Sequence, residues 1–242
     1  MSSPTVTARQ SSLIRLCPPV PVLVGEATEL EAFIRHERLI AAGAEIASEG
    51  DPDGHVAVLM EGMAGRYKML RTGGRQIVAV CLPGDFLTLR GYLPARMDHS
   101  IIALSSCAIG TAGKGELDRI FADNPALMRL FWRSSMAEAA ISREWLVSVG
   151  RRNALERTAH LLCELQYRLA AAGLCRGNWF QLPLTQTDIG DIVGLSAVHT
   201  NRTIQELRSR GLVAWTHGTV HLRDLAALRE LAGFDPGYLD LD

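Results

Sequence analysis

Long apolar runs are missing from this sequence. None approaches the ~20 residues that a membrane-crossing helix requires, and the N-terminus lacks a charged stretch followed by an unbroken apolar core. No membrane partner and no secretion signal are therefore expected. Cysteine is scarce and odd in number: Cys17, Cys81, Cys107, Cys163 and Cys175, with no Cys-x-x-Cys pair. That pattern argues against a disulfide framework and fits a reducing cytoplasm with most thiols simply buried. Charge of one sign is not in excess, the net being −1. No global basic field announces nucleic acid, although a local patch can suffice.

Catalytic signatures are also missing. There is no His-x-His, no His-Glu-x-x-His, no Gly-x-Ser-x-Gly and no Walker loop, and His55 and His99 stand alone. A barrel enzyme with a metal held by paired histidines would need such spacing. The expectation is a protein that is not an enzyme, with no metal and no cofactor.

What is present is length and apolar content. The 242 residues, 48% of them hydrophobic, suffice for two ordinary domains with real cores. Residues 1 to about 25 are rich in Ser, Thr, Pro and Val and read as an arm. Glu26 to Glu37 has helical spacing, with Leu30, Phe33 and Ile34 on one side. From Arg38 to about Thr111, short runs of β-formers alternate with turns. His55–Met60, Arg66–Leu70, Gln76–Cys81, Ser100–Leu104 and Cys107–Ile109 are the strand candidates. Strands this short, at this spacing, predict a small antiparallel barrel or jelly roll.

Gly115 to Phe121 reads as a short helix. Asn124 followed by Pro125 is a good helix start, and the helix it opens runs to about Gly150. Leu127, Leu130, Ser134, Ala137 and Ile141 form one stripe near heptad spacing; Met128, Trp132, Ala139 and Leu146 lie elsewhere on it. A helix apolar on more than one side is usually buried on more than one side. The reading is that one face meets the barrel and another meets the same helix of a second subunit, with the Leu127–Ile141 stripe as that interface. Arg151-Arg152-Asn153 is the hinge candidate, and Asn153 caps the next helix, which reaches about Gly173.

Leu184 to Arg210 is the most informative stretch. Thr185 is a good N-cap, with Asp188 in the first turn. Ile189, Ile192 and Val193 make one apolar face, with Gly190 among them where a side chain would hold a crossing helix away. Gly194 stops the helix. Ser196 caps a second helix whose Thr200, Ile204 and Leu207 point back at the first. Ala197, Val198, Asn201, Arg202, Gln205 and Arg208 face outward, with His199 beside them. Arg pairs with guanine in a major groove, and Asn or Gln with adenine. Leu212–Trp215 and Thr219–Leu222, flanking Thr216-His217-Gly218, read as a β-hairpin wing. Asp224 caps a last helix.

A β-rich barrel, a long helix and a winged helix-turn-helix, in that order, resemble the Crp/Fnr family of bacterial transcription regulators. The resemblance runs from roughly Arg38 to Leu222 and rests most on Leu184–Val213 and the turn Leu82-Pro-Gly-Asp-Phe86. It implies an α+β chain: a double-stranded β-helix barrel of the cyclic-nucleotide-binding kind, a dimerisation helix and a winged helix-turn-helix. The corresponding division is 1–123, 124–152 and 153–242. It also implies that Ala197, Val198 and Arg202 stand at base-reading positions, and Ser196, His199 and Thr185 at phosphate-touching ones. With Gln186, Asn201 and Gln205 these make the expected DNA surface.

Members that bind cyclic nucleotides place a Gly-Glu pair and then an Arg-Ser pair around the phosphate. Here Thr88-Leu89 and Met97-Asp98 stand at those positions. An anion that meets Asp98 and lacks its Arg is disfavoured, so cyclic AMP is not the expected ligand. Phe86, Thr88, Leu89, Met97 and Asp98 mark the effector pocket the resemblance implies. An iron–sulfur cluster wants four thiolates, and only Cys17 lies near the N-terminus. The expected partners are double-stranded promoter DNA, a second copy of the chain, RNA polymerase, and an effector that is either a small molecule or redox-based. The other readings are a scaffold or regulatory protein that no longer binds specific DNA and, lower, a cupin metalloenzyme.

Overall fold

The structure, a computed structural model, describes residues 36–52, 55–88, 96–113, 115, 117–118 and 125–239. The N-terminal arm, Cys17, Leu89 and Asn124 lie outside the described residues, as does the side chain of Leu127. Eight strands come first: β1 His36–Ile40, β2 Glu45–Ala47, β3 His55–Glu61, β4 Ala64–Met69, β5 Arg75–Cys81, β6 Phe86–Thr88, β7 Ser100–Ala103 and β8 Cys107–Gly113. The helices α1 Pro125–Arg151 and α2 Ala154–Ala171 follow, then β9 Cys175–Arg176 and β10 Trp179–Gln181. Then come α3 Gln186–Val193, α4 Ala197–Ser209, β11 Val213–Thr216, β12 Thr219–Leu222, α5 Leu225–Ala232 and a 3₁₀ turn at Pro236–Leu239.

Two compact units form. The first holds residues 36–64 and Cys81–Ala137, and the second holds Gly65–Val80 and residues 138–239. In the first, one sheet runs β1-β8-β3-β6, and β2 pairs antiparallel with β7. Leu59, Leu87, Ile101, Cys107 and Ile109 fill its core together with Ala57, Ala64, Cys81, Met97 and Ala103. The Leu82–Phe86 turn is closed by its own aspartate: the Asp85 carboxylate accepts from Leu82 N at 2.8 Å, and Gly84 N donates to Leu59 O. The helical reading of Glu26–Glu37 fails at its end. His36 and Glu37 open β1, paired with Thr111 and Gly110. The ladder with β8 gives partners to the backbone groups on that side of β1, which overrides local spacing.

In the second unit, α2 begins at Asn153, whose side chain accepts from Leu155 N and Glu156 N while Glu156 returns a bond to Asn153 N, a full capping box. Glu164 lies wholly buried on α2. Trp145 Nε1 donates to it at 2.9 Å, Tyr238 OH at 2.7 Å and Arg168 Nη1 at 3.3 Å. A buried carboxylate is tolerable only when its lone pairs are taken up this way. The cluster therefore ties the end of α1 and the Pro236–Leu239 turn to α2.

His160 sits one turn before Glu164, with its ring 5.3 Å from Phe234 and stacked at 6.1 Å on Tyr238. Burial, and next the Arg152 charge, push its pKa down from 6.5 to about 4, with Glu144 opposing. The unfolded chain thus binds the extra proton below about pH 6.5 and the folded chain only near pH 4. The contribution to stability is full above the unfolded value and is lost as pH falls toward the folded one. Complete loss is of the order of 3 kcal/mol. His160→Phe, which keeps the aromatic contacts, is expected to melt with a flatter pH dependence between pH 6.5 and 4 than the natural chain. Equal slopes in thermal melts would refute this.

Candidate nucleic-acid interface

Two short helices and a wing make the site. Thr185 caps α3: its Oγ1 accepts from Asp188 N at 3.1 Å, and Asp188 Oδ2 accepts from Thr185 N at 3.0 Å. Gly194 ends α3 in the left-handed conformation, at φ 68° and ψ 43°. Ser196 then caps α4, its Oγ accepting from His199 N. Gly190 lets the helices close. A Cβ there would stand 2.6 Å from Leu195 O and 3.0 Å from Thr200 Oγ1. Ile189, Ile192, Val193, Ile204 and Leu207 are buried between the helices and the rest of the unit. Thr200 and Thr203 are buried on α4 too, each hydroxyl donating to the carbonyl four residues back.

The outward face carries the expected residues with the exception of Arg208. Ala197, Val198, Asn201, Arg202 and Gln205 are exposed, as are Thr185, Gln186 and Ser196, while His199 is half-buried. Val198 is 82% exposed, an apolar side chain held out in solvent at the start of α4. Asn201 Nδ2 donates to Gln186 Oε1 at 3.1 Å, so two of these residues meet across the helix pair. Arg208 does not face outward freely. It is half-buried and donates to the Trp215 carbonyl, tying α4 to the wing. The wing, β11 with β12, pairs Val213 with Leu222 and Thr216 with Thr219. Its sheet continues as β11-β12-β10-β9. His217 takes φ 49° at its tip.

The Thr185 hydroxyl serves the cap twice. It also donates to Asp188 Oδ2 at 2.6 Å. A hydroxyl has one proton, so in this arrangement Thr185 has none to give a phosphate, and it organises the start of α3 instead. Asp188 and Asp191 in turn meet Arg75, which no local signal in the sequence singles out. Arg75 Nη2 lies 2.7 Å from Asp188 Oδ1, and its Nε lies 2.7 Å from Asp191 Oδ2. Partial burial works against the Arg75 charge, but the two carboxylates outweigh it and raise its pKa.

The effector positions among the described residues serve separate ends. Phe86 is buried, its ring centroid 4.5 Å from that of Phe131. Thr88 Oγ1 accepts from Ala57 N and donates to His55 O, holding β3 to β6. Met97 belongs to the core, and Asp98 is exposed and paired with His99 at 2.9 Å. Among the described residues no group of three His, Cys, Asp or Glu could hold a metal. Cys81, Cys107 and Cys163 are buried. Burial pushes Cys163 up to about 12 and Cys175 up to about 11, and raises Cys107 as well, so these are thiols and not thiolates.

The long helix is apolar on two faces, but not as expected. Leu130, Ala137 and Ile141 are buried within the single chain, and Ser134 is half-buried. The apolar side chains left open are Trp132, Met136, Leu146, Val147 and Val149, with Leu146 74% and Trp132 63% exposed. An alternation of polar and apolar residues would have told the faces apart; here both carry apolar groups.

A barrel followed by a long helix and a capped, winged helix-turn-helix is the architecture of a DNA-binding transcription regulator. Residues 156–231 match the Crp-like helix-turn-helix domain and residues 37–124 the cyclic nucleotide-binding domain. The nitrogen fixation regulation protein FixK of Bradyrhizobium diazoefficiens is 32% identical over 86% of this chain and 87% of its own. The transcriptional activator protein anr of Pseudomonas aeruginosa is 25% identical over 95% of this chain and 94% of its own. The solved structure of FixK2 from Bradyrhizobium japonicum aligns with a TM-score of 0.73 at 25% identity, covering 83% of this chain and 98% of that one. The chain belongs to the Crp/Fnr family of transcription regulators. No helix among the described residues is long and apolar enough to cross a membrane.

Proposed function

We propose that this chain acts as a homodimer that reads an inverted-repeat operator, with α4 in the major groove, and regulates transcription from promoters in the cytoplasm. The single observation that carries the reading is the outer face of α4, where Arg202, Asn201 and Gln205 stand exposed on a helix fixed by caps at its start and by Ile204 and Leu207 beneath it. Arg202 is the base reader, its fork matched to guanine. Ser196 and His199 position the helix against phosphates, and Val198 and Ala197 offer apolar contact to thymine methyls. The relatives named as transcriptional activators support RNA polymerase as a partner and a role that is not enzymatic. The chain divides in use into an arm and barrel over 1–123, a dimer helix over 124–152 and a reading domain over 153–242.

The signal is not cyclic AMP, because Thr88 is spent on the sheet and Asp98 is exposed where an Arg-Ser pair would hold a phosphate. The dimer face is a seam at positions 132, 136, 139, 143, 146 and 150 of α1. This seam has heptad spacing and includes the open Trp132, Met136 and Leu146.

Arg202→Ala is expected to flatten the preference at one symmetric base pair of each half-site, a loss of roughly 1–3 kcal/mol of discrimination. The rest of the operator should be read as before. Selection on random DNA at fixed salt measures this. An unchanged consensus would remove Arg202 from the groove. Binding without any sequence preference would favour a scaffold protein.

A further inference from the structure

α3 is eight residues long. A helix that short is marginal by itself, and its last carbonyls have no partners within it. They find them outside. Gln76 Nε2 donates to Ile192 O at 3.1 Å, and Arg157 Nη1 donates to Val193 O at 2.9 Å. The polar side of the helix is held by Arg75, which precedes Asp191 by 116 residues. Arg75 also lies 6.0 Å over the Tyr67 ring, which steadies its guanidinium within the β4–β5 hairpin. Asp188 connects the two ends of this chain of contacts. One of its oxygens takes Arg75, and the other takes the Thr185 amide and hydroxyl.

We propose that Arg75 is a positioning residue for DNA reading: through Asp188 and Asp191 it fixes α3, and with it the seat on which α4 meets the groove. The inference rests on the DNA-reading function proposed above. The Arg75 fork engages one oxygen of each carboxylate, and so sets the orientation of the helix without itself reaching DNA. A fork suits this because one side chain reaches two acids at once, which a lysine cannot do with fixed geometry.

The test uses the full chain. Operator and random-DNA affinities of Arg75→Ala are measured across a salt series, beside its melting temperature. The expected result is a loss of about tenfold on both DNAs, as for a broken charge-assisted bond. The selected consensus should stay the same, and so should the slope of log affinity against log salt. A residue that touched phosphate would instead lower that slope by about one. Arg75→Lys should recover part of the loss, and Arg75→Glu combined with Asp191→Arg should recover more than Arg75→Glu alone. If Arg75→Ala does not fold, Asp191→Asn and Arg75→Lys carry the same comparison.

Natural affinity in Arg75→Ala overturns the inference. So does a rise in affinity, which would make the contact a brake, and so does a reduced salt slope. A natural chain that prefers no DNA overturns the function and takes this inference with it. A natural chain with a clear operator and an unaffected Arg75→Ala overturns this inference alone.

Discussion

Met136→Glu combined with Leu146→Glu is expected to convert the protein to a monomer and to reduce operator affinity by roughly a thousandfold, to the level of non-specific binding. Both side chains are open on α1 in the single chain, so the substitutions cost the fold little. Across a two-fold axis each glutamate meets its own copy or a near neighbour, and the repulsion adds to the loss of apolar contact. The contrast is Leu130→Glu. Leu130 is wholly buried within one chain, and a carboxylate there has no partner, so that variant should unfold and not dissociate. Light scattering and melting curves separate the two. If Met136→Glu/Leu146→Glu stays dimeric, the dimer seam lies elsewhere.

Gly190→Val is expected to abolish specific DNA binding while leaving the barrel folded. The first added carbon alone would stand 2.6 Å from the Leu195 carbonyl, part of the turn between α3 and α4. The neighbour is backbone and cannot swing away as a side chain could. Overpacking of this kind costs roughly 1–3 kcal/mol where the surroundings yield, and here they yield only by parting the two helices. Gly190→Ala should show a smaller loss in the same direction, because its methyl meets the same atom. Circular dichroism with operator binding checks both. Full binding by Gly190→Val would mean that the helix pair does not need this close approach.

The helix-turn-helix was legible because its signals are local. Thr185, Gly194, Ser196 and Asp224 cap or end helices by bonds within three or four residues, and residue type alone announces such bonds. The wing was legible for the same reason. β1 was not, since His36–Ile40 is held by β8, about seventy residues on, and its own sequence shows no alternation. Gln76 reads as one end of a barrel strand and Arg75 carries no local signal, because their partners on α3 are more than a hundred residues away. Spacing marks the Leu127–Ile141 stripe as a dimer face, while Leu130, Ala137 and Ile141 are buried in the single chain. Periodicity finds stripes, but it does not say which neighbour covers each one. Its place in the motif matches Thr185 to a phosphate; the bond from its hydroxyl to Asp188 shows only in three dimensions.

The central claim is that two copies of α4 read one operator. It is tested most directly by selecting the natural chain on random DNA at fixed salt and sequencing what it retains. The account predicts an inverted repeat, with half-site centres about one helical turn, ~34 Å, apart and a guanine in each half-site whose selection depends on Arg202. A single unrepeated site, or retention of all sequences alike, would contradict it.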